Sequence, residues 1–350
     1  MAIGLDIGSS AVRVAELEPR PRGKPRLIRF GERQLPPGAV VDGDVVEPEV
    51  VAEGVRQLWA DAGLKGRSVA VGLASQRITV RQIELPEMPE VELGDALRLQ
   101  AEDQLPIPVD QALLDYVVVE RPPAAEEQRG IRVLLVAAER EMVERLLTVV
   151  TAAKLRPVLV DLDAFALVRS VAGGNPGGDD TALIVDVGAA VTKIAVHRRG
   201  GPLFVRMVRL GGDAATRQLQ NVLELSWEDA EQAKLEASVA MADGAELDPD
   251  DERARVLRGS VQRVVTEVLR SLDFFRSQHD NVEVCRIVLS GGGSLAPNLA
   301  EALHAALELP VEQGDPLRAV AGGPTGTPPA DFVAGRCLGV PVGLAMGLLS

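Results

Sequence analysis

The sequence predicts an α/β protein of two related lobes facing one another, with a small α+β unit inserted in the first. Three observations carry this. The chain has 350 residues, too many for one simple core. One residue pattern occurs twice, 180 positions apart, about half the chain. Between the copies, residues 77–156 read strand, helix, strand, strand, helix, an order that suits a small sheet covered by helices.

The repeated pattern is Leu5-Asp6-Ile7-Gly8-Ser9-Ser10-Ala11-Val12-Arg13-Val14-Ala15 and Val185-Asp186-Val187-Gly188-Ala189-Ala190-Val191-Thr192-Lys193-Ile194-Ala195. Aspartate, glycine and a basic residue recur at identical offsets. Apolar residues alternate on both sides of each glycine turn (Ile3, Leu5, Ile7; Val12, Val14, Leu17 in the first copy), so each reads as a β-hairpin.

After the first hairpin a third strand is expected over 26–35, a helix over 48–62 stopped by Gly63, and a strand over 68–73. In the inserted unit, strands cover 77–85, 113–120 and 131–138, and helices cover 90–104 and 139–154, with a polar turn at 122–130. A strand at 157–163 and a helix at 164–172 precede the Gly-rich linker 173–180. The domain reading is therefore 1–76 and 157–178 for the first lobe, 77–156 for the insert and 179–350 for the second lobe. That lobe continues with helices over 212–224 and 227–240, an acidic loop at 244–251 and a long amphipathic helix over 254–279. A strand then runs into Gly291-Gly292-Gly293, a helix opened by Pro297 covers 297–308, a Pro/Gly-rich loop covers 310–335, and an apolar helix ends the chain at 339–348.

Composition narrows the function. Net charge is −14, which argues against nucleic acid as a ligand and against direct docking on an anionic leaflet. Cys285 and Cys337 form no C-x-x-C pair and read as reduced cytosolic thiols. No signal peptide opens the chain and no run of about 18 apolar residues occurs. The three histidines form no zinc motif.

The repeat has a coherent chemistry. A buried strand ending in aspartate sets a carboxylate at a cleft floor, and Asp6 and Asp186 together suit hydrated magnesium bound to phosphates. Gly8 and Gly188 let backbone amides approach phosphate, Ser9, Ser10 and Thr192 offer hydroxyls, and Arg13 and Lys193 offer positive charge. Gly291, Gly292 and Gly293 give a flat surface for a base or ribose. Walker A and the dinucleotide fingerprint are both absent.

At these elements the chain resembles the actin, sugar-kinase and heat-shock chaperone ATPase superfamily over nearly its whole length. The stretches 6–17, 101–116, 160–167 and 211–236 resemble the PilM family of type IV pilus assembly proteins, which is similar to the cell-division protein FtsA. The resemblance implies an actin-like (ribonuclease H-like) ATPase fold in which 77–156 is the inserted subdomain called 1C. It implies ATP or ADP with Mg2+ as cofactors. Asp6 and Asp186 would hold the metal, Gly8, Ser9, Ser10, Gly188 and Thr192 would wrap the phosphates, and Gly211, Gly212 and Asp213 would close around them. Glu231 and Lys234, by themselves a solvated helix face, would contact ribose and adenine, and Gly291–Gly293 would line the adenosine.

Two positions depart from the family pattern. Arg13 stands where relatives often have lysine, and Asp163-Ala164 stands where they often have a Glu-Pro-like turn that orients the attacking water. Asp163 is one methylene shorter, so weak or absent hydrolysis is expected. The implied partner is the cytoplasmic N-terminal tail of PilN, held in a groove between the first lobe and 1C, alongside other pilus inner-membrane components. This would place the chain at the cytoplasmic face of the inner membrane through its partners alone. Leu105, Ile107, Leu113 and Leu114 are candidates for the groove or for the core. The alternatives are an FtsA-like division or filament protein, with homo-oligomers left open, and a small-molecule kinase of the same fold.

Overall fold

A computed structural model describes residues 1–121, 130–172, 181–242, 251–279, 282–321 and 336–349. Most of the polar turn 122–130, the linker 173–180, most of the acidic loop 244–251 and the stretch 322–335 lie outside the described residues.

The first lobe opens with β1 (Ala2–Ile7), β2 (Ala11–Glu18) and β3 (Arg26–Gln34), an antiparallel meander. A small hairpin of β4 (Val40–Val41) and β5 (Asp44–Val45) leads to α1 (Pro48–Asp61). Pro48 starts this helix, where a missing N–H costs nothing. Val51, Val55, Leu58 and Trp59 form its buried stripe, and Gly63 follows its end at φ +63°. Strand β6 (Ser68–Leu73) then runs parallel to β1.

The insert comprises β7 (Ile78–Leu85), α2 (Glu90–Gln104), β8 (Ala112–Glu120), β9 (Ile131–Glu139) and α3 (Arg140–Ala152). Its antiparallel sheet has the order β7-β9-β8. Alternation along β9 divides the strand between two cores. Ile131, Val133 and Leu135 face Leu93, Leu97 and Ala101 of α2, while Leu134, Val136 and Ala138 join the main core with Met142, Leu146 and Val150 of α3. Leu105 and Leu114 pack against the α2 core and Leu113 against the main core. Strand β10 (Arg156–Leu162) returns to pair with β6, and α4 (Asp163–Leu167) follows. The expected α-helix to residue 172 changes after Leu167 into a π-helical turn, Val168–Ala172.

The second lobe contains β11 (Thr181–Val187), β12 (Thr192–Arg198), β13 (Gly201–Val208), α5 (Gly212–Leu223), α6 (Trp227–Ala242), α7 (Glu252–Gln278), β14 (Arg286–Ser290), α8 (Leu299–Leu307) and β15 (Val311–Gln313). Its sheet order, β13-β12-β11-β14-β15, repeats β3-β2-β1-β6-β10 of the first, strand for strand. The pairing senses match too: two antiparallel steps, then two parallel ones.

Three expectations are corrected. Pro297 does not open α8, which begins at Leu299 behind Asn298 at φ +62°. The loop expected over 310–335 starts with β15, paired to β14, and a 3-10 turn at Pro316–Ala319. The terminal helix α9 (Gly339–Gly347), expected within the 179–350 lobe, instead packs on the first lobe, with Val342 and Ala345 against Ala2, Ala15 and Leu17. Two close approaches make this possible. A Cβ on Gly4 would stand 2.0 Å from Pro341 O, and one on Gly343 would stand 1.8 Å from Ala166 O.

Beneath the cleft the two lobes share one core. Ala190, Val191, Ala195, Val205 and Met207 of the second lobe belong to the same apolar cluster as Leu5, Val12 and Val71 of the first. Burial of this kind, worth ~25 cal/mol per Å² of apolar area, joins the lobes below the polar floor described next.

Candidate functional site

The matched hairpins set the floor. Asp6 of β1 stands opposite Arg13 of β2, and Asp186 of β11 stands opposite Lys193 of β12. Both aspartates line a cleft of about 400 Å³ between the lobes. Ser10, Arg13, Gly188, Lys193, Gly211, Gly212, Glu231, Lys234 and Gly291–Gly293 line it as well. Thus thirteen of the eighteen residues singled out from sequence meet on one surface.

The other five stand elsewhere. Gly8 closes its own turn, its N–H donating to Ala11 O at 3.0 Å, as Gly188 donates to Val191 O at 3.1 Å. The two glycine amides are therefore spent inside the hairpins. Thr192 donates its hydroxyl to Leu210 O at 2.6 Å. Ser9 and Asp213 line an adjoining cavity of about 670 Å³ that shares Ser10, Gln34, Glu231 and Leu235 with the cleft. Asp163, the candidate for positioning water, is 4% exposed and absent from the cleft lining.

Lys193 explains the placement of Asp163. Its ammonium donates to Asp186 Oδ2 at 2.8 Å and lies 3.7 Å from Asp163 Oδ2, covering Asp163 from the second lobe. Burial by itself would make Lys193 a weaker base; Asp186, Asp163 and Asp6 more than reverse that and raise its pKa. Burial pushes Asp163 up to about 8 against the pull of Lys193, with Asp6, Asp186 and Asp161 adding to the rise. These tendencies oppose each other at the longer contact, yet Lys193 stays charged whichever way Asp163 titrates. Burial also raises Asp6, against Lys193 and Arg13.

Arg13 is held from the side. Its Nε donates to Glu32 Oε2 at 2.6 Å, and Gln34 Nε2 donates to Glu32 Oε1 at 2.9 Å. One guanidinium nitrogen stays 3.9 Å from Asp6 Oδ2. Glu32 and Gln34 were missed in the sequence reading. They belong to β3, which carries no motif, and only the β2–β3 pairing of Arg13 with Glu32 reveals them.

Toward the other end, Thr216, Glu231 and Lys234 form a closed triad. Lys234 donates to Thr216 Oγ1 at 2.9 Å and to Glu231 Oε2 at 2.6 Å, and Thr216 donates to that same carboxylate oxygen at 2.6 Å. The wall beyond is apolar, with Leu235, Leu257, Val261, Val264 and Leu295. The apolar stripe of α7 thus also faces the cleft. Gly291 has φ +79°, and a Cβ there would meet Val187 O at 2.5 Å. Only glycine fits, and its strand β14 leads into a 3-10 turn, Gly292–Leu295, rather than directly into α8.

Among the described residues no cluster of three or more His, Cys, Asp or Glu side chains could hold a metal alone. Asp6 and Asp186 nevertheless fit magnesium kept mostly in its water and phosphate shell, one carboxylate from each lobe. Bound there, magnesium would neutralise phosphate oxygens and orient them.

Two sheets of identical order closing on an acidic cleft define the actin-like ATPase fold. MreB5 of Spiroplasma citri bound to AMPPNP has this fold, superposing with a TM-score of 0.53 at 13% identity over 98% of this chain and 94% of that one. The sequence model of the family "Type IV pilus assembly protein PilM" matches residues 4–347, and the chain belongs to that family. A solved PilM-PilN type IV pilus biogenesis complex contains a chain 29% identical, with a TM-score of 0.84, covering 100% of this chain and 98% of that one. The cell division protein FtsA of Neisseria meningitidis serogroup B is 24% identical over 348 residues, 89% of this chain and 83% of FtsA.

Proposed function

We propose that this chain binds ATP or ADP with magnesium between its lobes and, so loaded, captures the cytoplasmic N-terminal tail of PilN as a scaffold of the pilus inner-membrane complex. The observation that carries the nucleotide reading is the pair Asp6 and Asp186, brought by matched strands to one cleft whose floor sets Arg13 and Lys193 beside them and whose far wall is apolar. Asp6 and Asp186 hold the metal; Ser10, Arg13, Lys193 and Gly212 face the phosphates; Glu231, Lys234 and Gly291–Gly293 face ribose and base. Gly8, Ser9, Gly188, Gly211, Thr192 and Asp213 shape and support the turns around the phosphates. Asp163 is buried beneath Lys193 and does not line the cleft, which favours holding nucleotide over turning it over.

The PilN reading rests on family membership and on the likeness to the PilM-PilN complex. Among the described residues no helix is long and apolar enough to cross a membrane, and α9 packs on the first lobe's core; the partner tail is the proposed route to the inner face of the inner membrane. The test is titration of a synthetic PilN N-terminal tail into the protein with ATP and magnesium and without nucleotide. Saturable binding that tightens with nucleotide is expected; absence of binding to the loaded protein refutes the scaffold reading. Filaments in electron micrographs with ATP, or phosphoryl transfer to a small acceptor, would instead favour the FtsA-like or kinase reading.

A further inference from the structure

The cleft floor gathers three buried carboxylates from both lobes around one ammonium. Asp6 and Asp163 come from the first lobe and Asp186 from the second, and all three are less than a tenth exposed, as is Lys193 at 9%. Lys193 Nζ lies 2.8 Å from Asp186 Oδ2 and 3.7 Å from Asp163 Oδ2, so a single cation on β12 reaches across to α4. Asp163 has little room to leave. Its Oδ1 has no hydrogen-bond partner among the described residues and abuts Gly72, where a Cβ would sit 2.0 Å from it. Arg13 is shared between Glu32 and Asp6, both of its own lobe, so Lys193 is the cation that bridges Asp186 of the second lobe to Asp163 of the first. Without it, Asp186 and Asp163 would face each other across a buried floor with no cation between them.

We propose that Lys193 is the resident cation of the cleft floor: it ties the second lobe to Asp163 of the first and supplies between the lobes the charge balance a divalent ion would otherwise supply. The closed, nucleotide-accepting form then stands without metal, and magnesium contributes to nucleotide affinity only modestly. This second consequence rests on the nucleotide reading; the first does not.

Two measurements decide. Urea unfolding without nucleotide compares the unmodified protein, Lys193→Met, Asp163→Asn and the double variant, each with EDTA and with magnesium. The pair is expected to couple by at least tenfold in the folding equilibrium, and magnesium is expected to restore stability to Lys193→Met while leaving the unmodified protein unchanged. Coupling below twofold, or a magnesium response of equal size in both, overturns the proposal. Titration of a fluorescent ADP analogue forms the second measurement. Chelation is expected to weaken binding less than threefold for the unmodified protein and more than tenfold for Lys193→Met; equal losses overturn it. Lys193→Gln, neutral but still able to donate to Asp186, is expected to follow Lys193→Met and serves if Lys193→Met does not fold. No binding of the analogue to the unmodified protein in either condition refutes the nucleotide reading, and the unfolding cycle then decides on Lys193 alone.

Discussion

Asp6 and Asp186 hold the same address in two sheets of the same strand order: each is the penultimate residue of its lobe's first strand and stands opposite a basic residue of the second. Their convergence on one cleft sets both beside the same ligand, and Asp186 also holds the Lys193 ammonium. In a thermal-shift titration with magnesium and ATP, the unmodified protein is expected to gain several degrees, since a ligand at 100 times its Kd adds about 2.7 kcal/mol. Asp6→Ala and Asp186→Ala are each expected to lose part of that gain, Asp186→Ala the more because it also releases Lys193. A variant that keeps the full gain would remove its aspartate from the site.

The Thr216–Glu231–Lys234 triad gives a second test. Lys234 is the cation of a network in which Glu231 Oε2 accepts from both Thr216 and Lys234. Lys234→Met leaves that carboxylate with half its donors and frees it to turn into the cleft, where it would repel a nucleotide. Nucleotide affinity is expected to fall about tenfold, with the response to chelation unchanged because the change lies far from the acidic floor. Paired titrations with and without EDTA read both.

Much of this was legible in sequence because it is local. The hairpins are period-two patterns around a glycine turn, and two copies 180 residues apart betray the duplicated lobe without any contact information. Pairings distant in sequence were not legible. Glu32 reaches the site through strand register, and Thr216 through the packing of α5 on α6. Helix α9 crosses back to the first lobe because Gly4 and Gly343 permit close approach, and an apolar 9-residue helix carries no address of its own. The amides of Gly8 and Gly188 illustrate a different limit: composition marks a turn able to meet phosphate, while the hydrogen bonds that close the turn decide which amides remain.

That crossing yields a stability test. Gly343 lies against the backbone of Ala166, where any Cβ would collide with a carbonyl rather than a movable side chain. Gly343→Ala is expected to displace α9 from α4 and to destabilise the protein by about 1–3 kcal/mol, read as a lower urea midpoint. Gly259→Ala, on α7 with open space around its Cα, is the matched control and is expected to be neutral or mildly stabilising.

His197 on β12 supplies the pH dependence. It is buried, neither ring nitrogen has a hydrogen-bond partner among the described residues, and burial together with nearby Arg286 lowers its pKa to about 4. The unfolded chain binds the proton near pH 6.5, its ordinary value. Between these values the unfolded state holds more protons, so stability rises with pH from about 4 to about 6.5 and is fully present above that range. The swing amounts to about 3 kcal/mol at most. His197→Leu is expected to remove this share, so the difference in urea midpoint between variant and unmodified protein should change across pH 4.5–7 and be flat from pH 7 to 8. A difference that stays constant over the whole range would mean that the imidazole binds its proton alike in the folded and unfolded chain and is not held neutral by burial.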